Sequence, residues 1–373
     1  MTSAKVPLFD LARVLEPLKP ELHLALERCL RHGIFVLGPE VLAFEKQLAQ
    51  YVGAEHVVGL SSGTDALLAT LMALDLPKNS EILTTPFTFI ASATSILRAD
   101  LRPVFVDIAP GKFYPDLRDY ERAWTANTRG ILNVHLFGEP QPLTEVAALC
   151  RAKGGVLVED CAQAIGARAG DLRHAGRAGV AGTLSFFPAK NLGTLGDGGA
   201  FFSDDADLAK RVREKRQHGC SVRYQHTHLG GNFRLDALHA AFLQVLLPQL
   251  DSWLLLRAQN ATAYDHALRP LAETRPERLQ LPAMTAGHAW NQYVIRSPQR
   301  DHVKATLDAA GVGNAIYYPS ALHTQGALAA AGPFVPLPNA EKACEEVLAL
   351  PIYPGLTEYE RARVIEVVAH ALA

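Results

Sequence analysis

SFFPAKNLGTLGDGGAFFS (185–203) places one lysine, Lys190, between two apolar runs and follows it with Gly193, Gly196, Gly198 and Gly199. A lysine on a solvent-facing connection needs neither buried flanks nor so permissive a backbone. In a partly desolvated site the amine loses its proton more readily. The neutral form is a nucleophile that can build a Schiff base on an aldehyde. The ordinary alternative is a side chain that snorkels out to water. The runs on either side, GTLSFF (182–187) and GGAFFS (198–203), read as strands separated only by this segment.

Similar runs precede it: VVGL (57–60), EILTTP (81–86), RPVFVD (102–107), GILNVHLF (130–137) and GVLVED (155–160). Amphipathic stretches such as TDALLATLMAL (64–74) and TEVAALCRAKG (144–154) lie between them. Strands alternating with helices predict an α/β fold with a mostly parallel sheet covered on both faces. Many of the runs end in polar residues: SSGT (61–64), TTPFTF (84–89), HLFG (135–138) and EDCAQ (159–163). Ligands of such sheets bind at the carboxyl ends of the strands, so these clusters should converge. From about Asp251 the pattern changes to helices (254–268 and 301–311), one strand-like segment, NQYVIRS (291–297), and a last helix after Pro354-Gly355. The expected division is a large domain over 1–250 and a smaller α/β domain over 251–373.

The 373 residues are 49% hydrophobic and 20% charged, with a formal net charge of -2. That balance suits a globular protein of about two domains and gives no global bias toward nucleic acid or an anionic membrane. The start lacks a basic segment followed by a long apolar run, and no uninterrupted apolar stretch is long enough to span a bilayer. Cys29, Cys150, Cys161, Cys220 and Cys344 are odd in number and scattered, which fits a reduced, cytoplasmic protein without structural zinc. His226 and His228 in QHTHLGG (225–231) have no second ligand pair at metal-binding spacing and read as a polar loop.

Two further stretches bear on Lys190. In SSGTDALLAT a helix should begin near Thr64, after Gly63. Its free N–H groups can cradle a phosphate, or Ser61 and Ser62 can simply cap it. In GVLVEDCAQ, Asp160 ends a buried strand with Gln163 one turn later. A buried acid needs a cation or donors, and a protonated ring nitrogen is one such partner; a structural salt bridge is the other reading. Anion cradle, strand-end acid and amine are together the parts a pyridoxal phosphate (PLP) site requires, and Ser185 could add a hydroxyl to the cradle.

These stretches, with GPEVLAFEKQLAQYVGAEHVVG, PVFVDI, GGNFRLDALHAAFL and LPIYPGLTE, resemble in order the signatures of the DegT/DnrJ/EryC1/StrS sugar aminotransferases. The match runs from about Phe35 to Thr357. The resemblance implies an aspartate aminotransferase-like fold (PLP fold type I) with a seven-stranded sheet, and a homodimer whose active sites lie at the subunit interface. It implies Lys190 as Schiff-base lysine and proton shuttle, and Asp160 as partner of the pyridinium nitrogen. It places Gln163 near the ring, Phe89 stacked on it, Gly63, Thr64 and Ser185 at the phosphate, and Asn232 at the phosphate of the other subunit. Tyr318 and His323 would line the substrate pocket. Outside the family pattern, Phe89 could be core and Asn232 a turn residue. The reaction implied moves an amino group from an amino acid, L-glutamate in the family, to a ketone of a nucleotide-linked sugar. KNLG…GDGGA resembles the branch acting at C3, and KxIT…GEGG the branch acting at C4; cyclitol ketones stay open. PMP-dependent dehydratases of the C3-deoxygenating type carry His in place of this lysine, and a non-catalytic regulatory relative would be marked by loss of Lys190 or Asp160. One departure is His239, where the family usually has Gln; it bears on local helix packing or substrate fit.

Overall fold

The computed structural model describes residues 5–170, 173–222 and 224–373. The seven apolar runs form β1 (His56–Leu60), β2 (Glu81–Thr84), β3 (Arg102–Phe105), β4 (Thr128–Val134), β5 (Val156–Asp160), β6 (Ala181–Ser185) and β7 (Gly199–Ser203). They make one sheet in the order β1-β7-β6-β5-β4-β2-β3. β7 runs against β1 and β6, and the pairs from β6 to β3 are parallel. The Lys190 connection between β6 and β7 holds no helix to carry the chain across the sheet, and β7 returns antiparallel beside β6. Helices pack on both faces, so the central strands are buried along nearly their whole length.

Register sets the site. Val134 pairs with Asp160, and Asp160 with Thr183. The carboxyl ends of β4, β5 and β6 therefore form one edge. The helix Gly63–Ala73 starts at that edge, and the Ser62 hydroxyl caps it by accepting from Asp65 N at 3.0 Å. Behind it, the Glu45 carboxylate accepts from Gly59 N at 2.8 Å and from Arg216 at 2.7 Å, tying β1 to helices Pro39–Val52 and Ala206–Arg216.

β8 (Cys220–Val222) and β9 (Gln225–His226) form a short separate pair. A third sheet joins β10 (Tyr293–Arg296) to β11 (Val347–Leu350) antiparallel. β11 was not foreseen from the sequence. A core of Tyr264, Tyr293, Ile295, Leu307, Val364 and Val368 binds this sheet to the helices Leu250–Thr274, Arg300–Ala309 and Glu358–Leu372. Val6 bridges Val312, and Arg13 pairs with Glu360 at 2.8 Å, so the first described residues pack on this C-terminal part. Among the described residues no helix is long and apolar enough to cross a membrane.

Candidate active site

The glycine turn after Lys190 has a steric reason. A Cβ on Gly193 would lie 2.4 Å from Pro188 O, and one on Gly199 would lie 2.3 Å from Ser62 O. Lys190 N donates to Phe187 O at 2.8 Å and Thr194 N to Phe186 O at 2.8 Å, closing the turn. Phe186 is fully buried against Phe44, with ring centroids 5.4 Å apart. His239 has its place here: a Cβ on Gly196 would meet the His239 ring at 2.7 Å, so this imidazole packs directly over the return loop.

Lys190 opens into a cleft of about 450 Å³ lined also by Gly63, Thr64, Phe89, Asp160, Gln163, Ser185 and Tyr318. Its Nζ has no hydrogen-bond or ion-pair partner among the described residues. Burial pushes its pKa down to about 8, against the opposing pull of the Asp160 charge. Asp160 is 5% exposed. Burial raises its pKa, while donors from Ala162 N and Ser92 Oγ, each at 3.0 Å, work the other way. Ser92 in turn lies 3.2 Å from Thr88 Oγ1. An acid desolvated to this degree is suited to a cationic partner, and a ring nitrogen that stays protonated would be one.

The cradle is equally specific. First-turn amides of a helix lack intrahelical acceptors, and Gly63 and Thr64 present theirs at the cleft. A Cβ on Gly63 would sit 2.7 Å from Ser185 Cβ, so only glycine lets the helix start approach β6. Phe89 leaves 55% of its surface exposed at the cleft, an apolar face available for a flat ring. Amine, acid, anion cradle and apolar plate thus fit PLP.

Gln163 is oriented from behind. Phe137 sits in the left-handed region (φ 60°, ψ 0°), uncommon for a bulky residue. Its N–H donates to Gln163 Oε1 at 2.7 Å. The Gln163 amide nitrogen therefore faces the cleft and donates to Tyr318 Oη at 3.4 Å. A Cβ on Gly138 would meet Gln163 O at 2.9 Å and the Trp290 and Asn291 nitrogens at 3.1 Å, so the turn must continue with glycine.

Asn232 and His323 are not among the residues lining their own chain's cleft. Asn232 is exposed, forms a bridge with Gln217 and does not line its own chain's cleft. His323 is bonded to Glu341 at 2.8 Å, away from the cleft lining, although Leu322 N anchors this segment to Pro86 O at 2.8 Å. Sequence reading missed Ser92, Thr88, Asn291, Gln292 and Tyr317. The Thr88–Ser92 spacing of one turn in PFTFIAS was the available signal for the first two. Outside the cleft, Cys29, His32 and Glu40 bring their ligand atoms within 4.8 Å of one another. His32 Nδ1 accepts from Ile34 N at 3.0 Å, so Nε2 carries the proton and donates it to Glu40 Oε1 at 2.9 Å.

The chain is similar throughout its length to known proteins. It is 41% identical over 98% of both chains to a Geobacillus stearothermophilus protein named pleiotropic regulatory protein. It is 38% identical over 98% of both chains to the UDP-N-acetyl-3-dehydro-α-D-glucosamine 3-aminotransferase of Acidithiobacillus ferrooxidans. Among solved structures it superposes on Streptomyces venezuelae DesV, crystallised with a ketimine intermediate, with a TM-score of 0.94, 36% identity and 99% coverage of both chains. With residues 17–369 matching the family as a whole, the chain belongs to the DegT/DnrJ/EryC1/StrS aminotransferase family and is a PLP-dependent transaminase.

Proposed function

We propose that this enzyme takes an amino group from L-glutamate and delivers it to the C3 ketone of a UDP- or dTDP-linked hexose, working as a homodimer. The observation that carries the reading is Lys190 and Asp160 sharing one cleft with the helix start at Gly63-Thr64. Bound PLP supplies an aldehyde to hold the amino group and an electron sink for the charge left when a proton departs. Lys190 would anchor the aldehyde. With its pKa near 8, an appreciable fraction of the free amine is neutral at physiological pH. Its Nζ can then take the proton from the donor α-carbon and return it later. Asp160 would keep the ring nitrogen protonated, with Ser92 and the Ala162 amide fixing its two oxygens. Gln163 would donate to the ring's 3-oxygen, Phe89 would cover one ring face, and Gly63, Thr64 and Ser185 would bind the phosphate. Asn232, exposed and outside its own cleft, would reach the phosphate of the partner subunit.

The C3 position is favoured by the KNLG…GDGGA wording and by the activity named for the Acidithiobacillus ferrooxidans relative. The retained Lys190 and Asp160 speak for an enzyme over a purely regulatory role, despite the name of the Geobacillus relative. The test is incubation with PLP, glutamate and UDP- and dTDP-linked 3-keto and 4-keto hexoses, with NMR assignment of the new amine. Amination at C4, or none with any of these sugars, would overturn the proposal.

A further inference from the structure

A second cavity, of about 200 Å³, lies between the turn after β3, the end of β4 and the C-terminal part, and shares only Gln292 with the active-site cleft. Three of its residues carry polar atoms with no hydrogen-bond partner among the described residues. Glu139 accepts one hydrogen bond, from Thr285 Oγ1 to Oε1 at 3.0 Å, and none at Oε2. His288 Nδ1 accepts from Trp290 N at 2.8 Å, so Nε2 carries the proton, and that proton has no acceptor. Burial pushes the His288 pKa down to about 3, which keeps the ring a neutral donor. Tyr114 Oη makes no hydrogen bond. Unlike the orphaned atoms of the interior, these three keep accessible surface, and their residues line the cavity.

The walls are fixed without a ligand. Ala109 N donates to Tyr114 O at 2.9 Å and Lys112 N to Ala109 O at 3.0 Å, which closes the turn that carries Tyr114. Gln280 and Arg296 exchange backbone bonds of 2.8 and 2.9 Å on the opposite side. The His288 ring stacks on Trp290, with centroids 3.8 Å apart and planes within 4°. Phe113 meets Phe137 edge to face at 4.9 Å, an apolar wall. Gln292 N donates to Phe137 O at 3.3 Å and so holds the partition from the active-site cleft.

The charges decide what fits. Both cations of the lining are engaged: Lys112 with Asp116 at 2.7 Å, and Arg296 with Glu346 through Nε at 3.1 Å and Nη2 at 2.8 Å. Glu139 is the one acid among the described lining residues, and half of its carboxylate is unbonded. Burial raises its pKa, against the Thr285 bond and the Lys112 charge. An ammonium placed beside it would oppose that shift. The volume falls below the about 300–1,000 Å³ of drug-sized pockets, which selects a molecule of monosaccharide size or smaller and excludes a nucleotide-linked sugar. We propose that this cavity is a second ligand site for a small hydroxylated primary amine, its ammonium on Glu139 and its hydroxyls on His288 Nε2 and Tyr114 Oη. The site is separate from the transaminase centre and does not depend on which ketone that centre aminates.

The test is calorimetry on protein loaded with PMP, whose cofactor has no aldehyde to capture an amine. The probes are methyl glucosaminide and its neutral counterpart methyl glucoside, neither of which has a free aldehyde of its own. The amine is expected to bind at least tenfold more tightly than the neutral sugar. Glu139→Gln, which keeps the shape and removes the charge, should weaken the amine at least tenfold and leave the neutral sugar within twofold. Tyr114→Phe, which removes one oxygen, should weaken both at least threefold, and it decides the matter if thermal melts show that Glu139→Gln does not fold. No binding of the amine at millimolar concentration, or no preference for it over the neutral sugar, overturns the proposal. So does amine affinity within twofold of the parent in both variants, which is the result that binding in the active-site cleft would give.

Discussion

Ser92 Oγ donates to Asp160 Oδ2 at 3.0 Å, from a position 68 residues earlier in the chain. Hydrogen bonds to charged groups contribute about 1.5–3 kcal/mol. Removing this one raises the Asp160 pKa further and weakens its hold on a cationic ring nitrogen. Ser92→Ala should lower kcat/KM about tenfold or more, and Ser92→Thr, which keeps the hydroxyl, should lose less. A pH titration of the cofactor's visible spectrum distinguishes this from simple unfolding. An unchanged spectrum and rate in Ser92→Ala would show that the bond is idle.

The Gly63 contact predicts a strict size limit. Gly63→Ala drives a methyl to 2.7 Å from Ser185 Cβ. Overpacking of this kind costs about 1–3 kcal/mol, and here it also displaces the first-turn amides. Equilibrium dialysis should show PLP affinity reduced at least tenfold. Ser185→Gly in the same chain removes the opposing Cβ and should restore part of the thermal stability. Simple additivity of the two substitutions would count against the contact.

Lys190 makes cofactor-free protein pH-sensitive in a defined direction. Its folded pKa of about 8 lies below the usual 10.5, so the unfolded chain binds more protons between these values. Stability from this group therefore rises with pH across that window. Below about pH 8 the full penalty of the buried ammonium is present, and above about pH 10.5 it is gone. Lys190→Met apoprotein should melt higher than wild type at pH 7, and the difference should shrink between pH 8 and 10.5. A difference independent of pH in thermal melts would refute the assignment.

Asn232 is tested by mixing. If it serves the partner's site, Lys190→Ala and Asn232→Ala chains, each poor alone, form hybrids with one intact site. Statistical reassociation of equal amounts should recover about a quarter of wild-type activity. No recovery despite verified hybrid formation would place Asn232 in its own chain's chemistry or in none.

Much of this architecture was legible because the informative residues are local. The apolar runs carry their own strand signal, and Gly63, Asp160 and Lys190 sit within short motifs whose neighbours explain them. β11 was missed because VLALP follows a helix with no alternation, and an apolar run of that length has no periodicity of its own. Ser92 on Asp160, Phe137 on Gln163, and Asn291 on the cleft wall are products of tertiary register, invisible until the strand order is known. The bond of His323 to Glu341, from the helix Pro338–Glu346, is likewise a tertiary contact that its sequence neighbours do not announce.

The two faces of the Phe137 peptide have a kinetic consequence. Its N–H holds the Gln163 side-chain oxygen and its C=O holds the segment bearing Gln292, while Asn191 clasps Ala289 close by. Swinging the C-terminal sheet away as a rigid flap would break these bonds together. These bonds already join the C-terminal sheet to the cleft, so substrate association is expected to follow one encounter step in stopped-flow traces, without a slow closing phase.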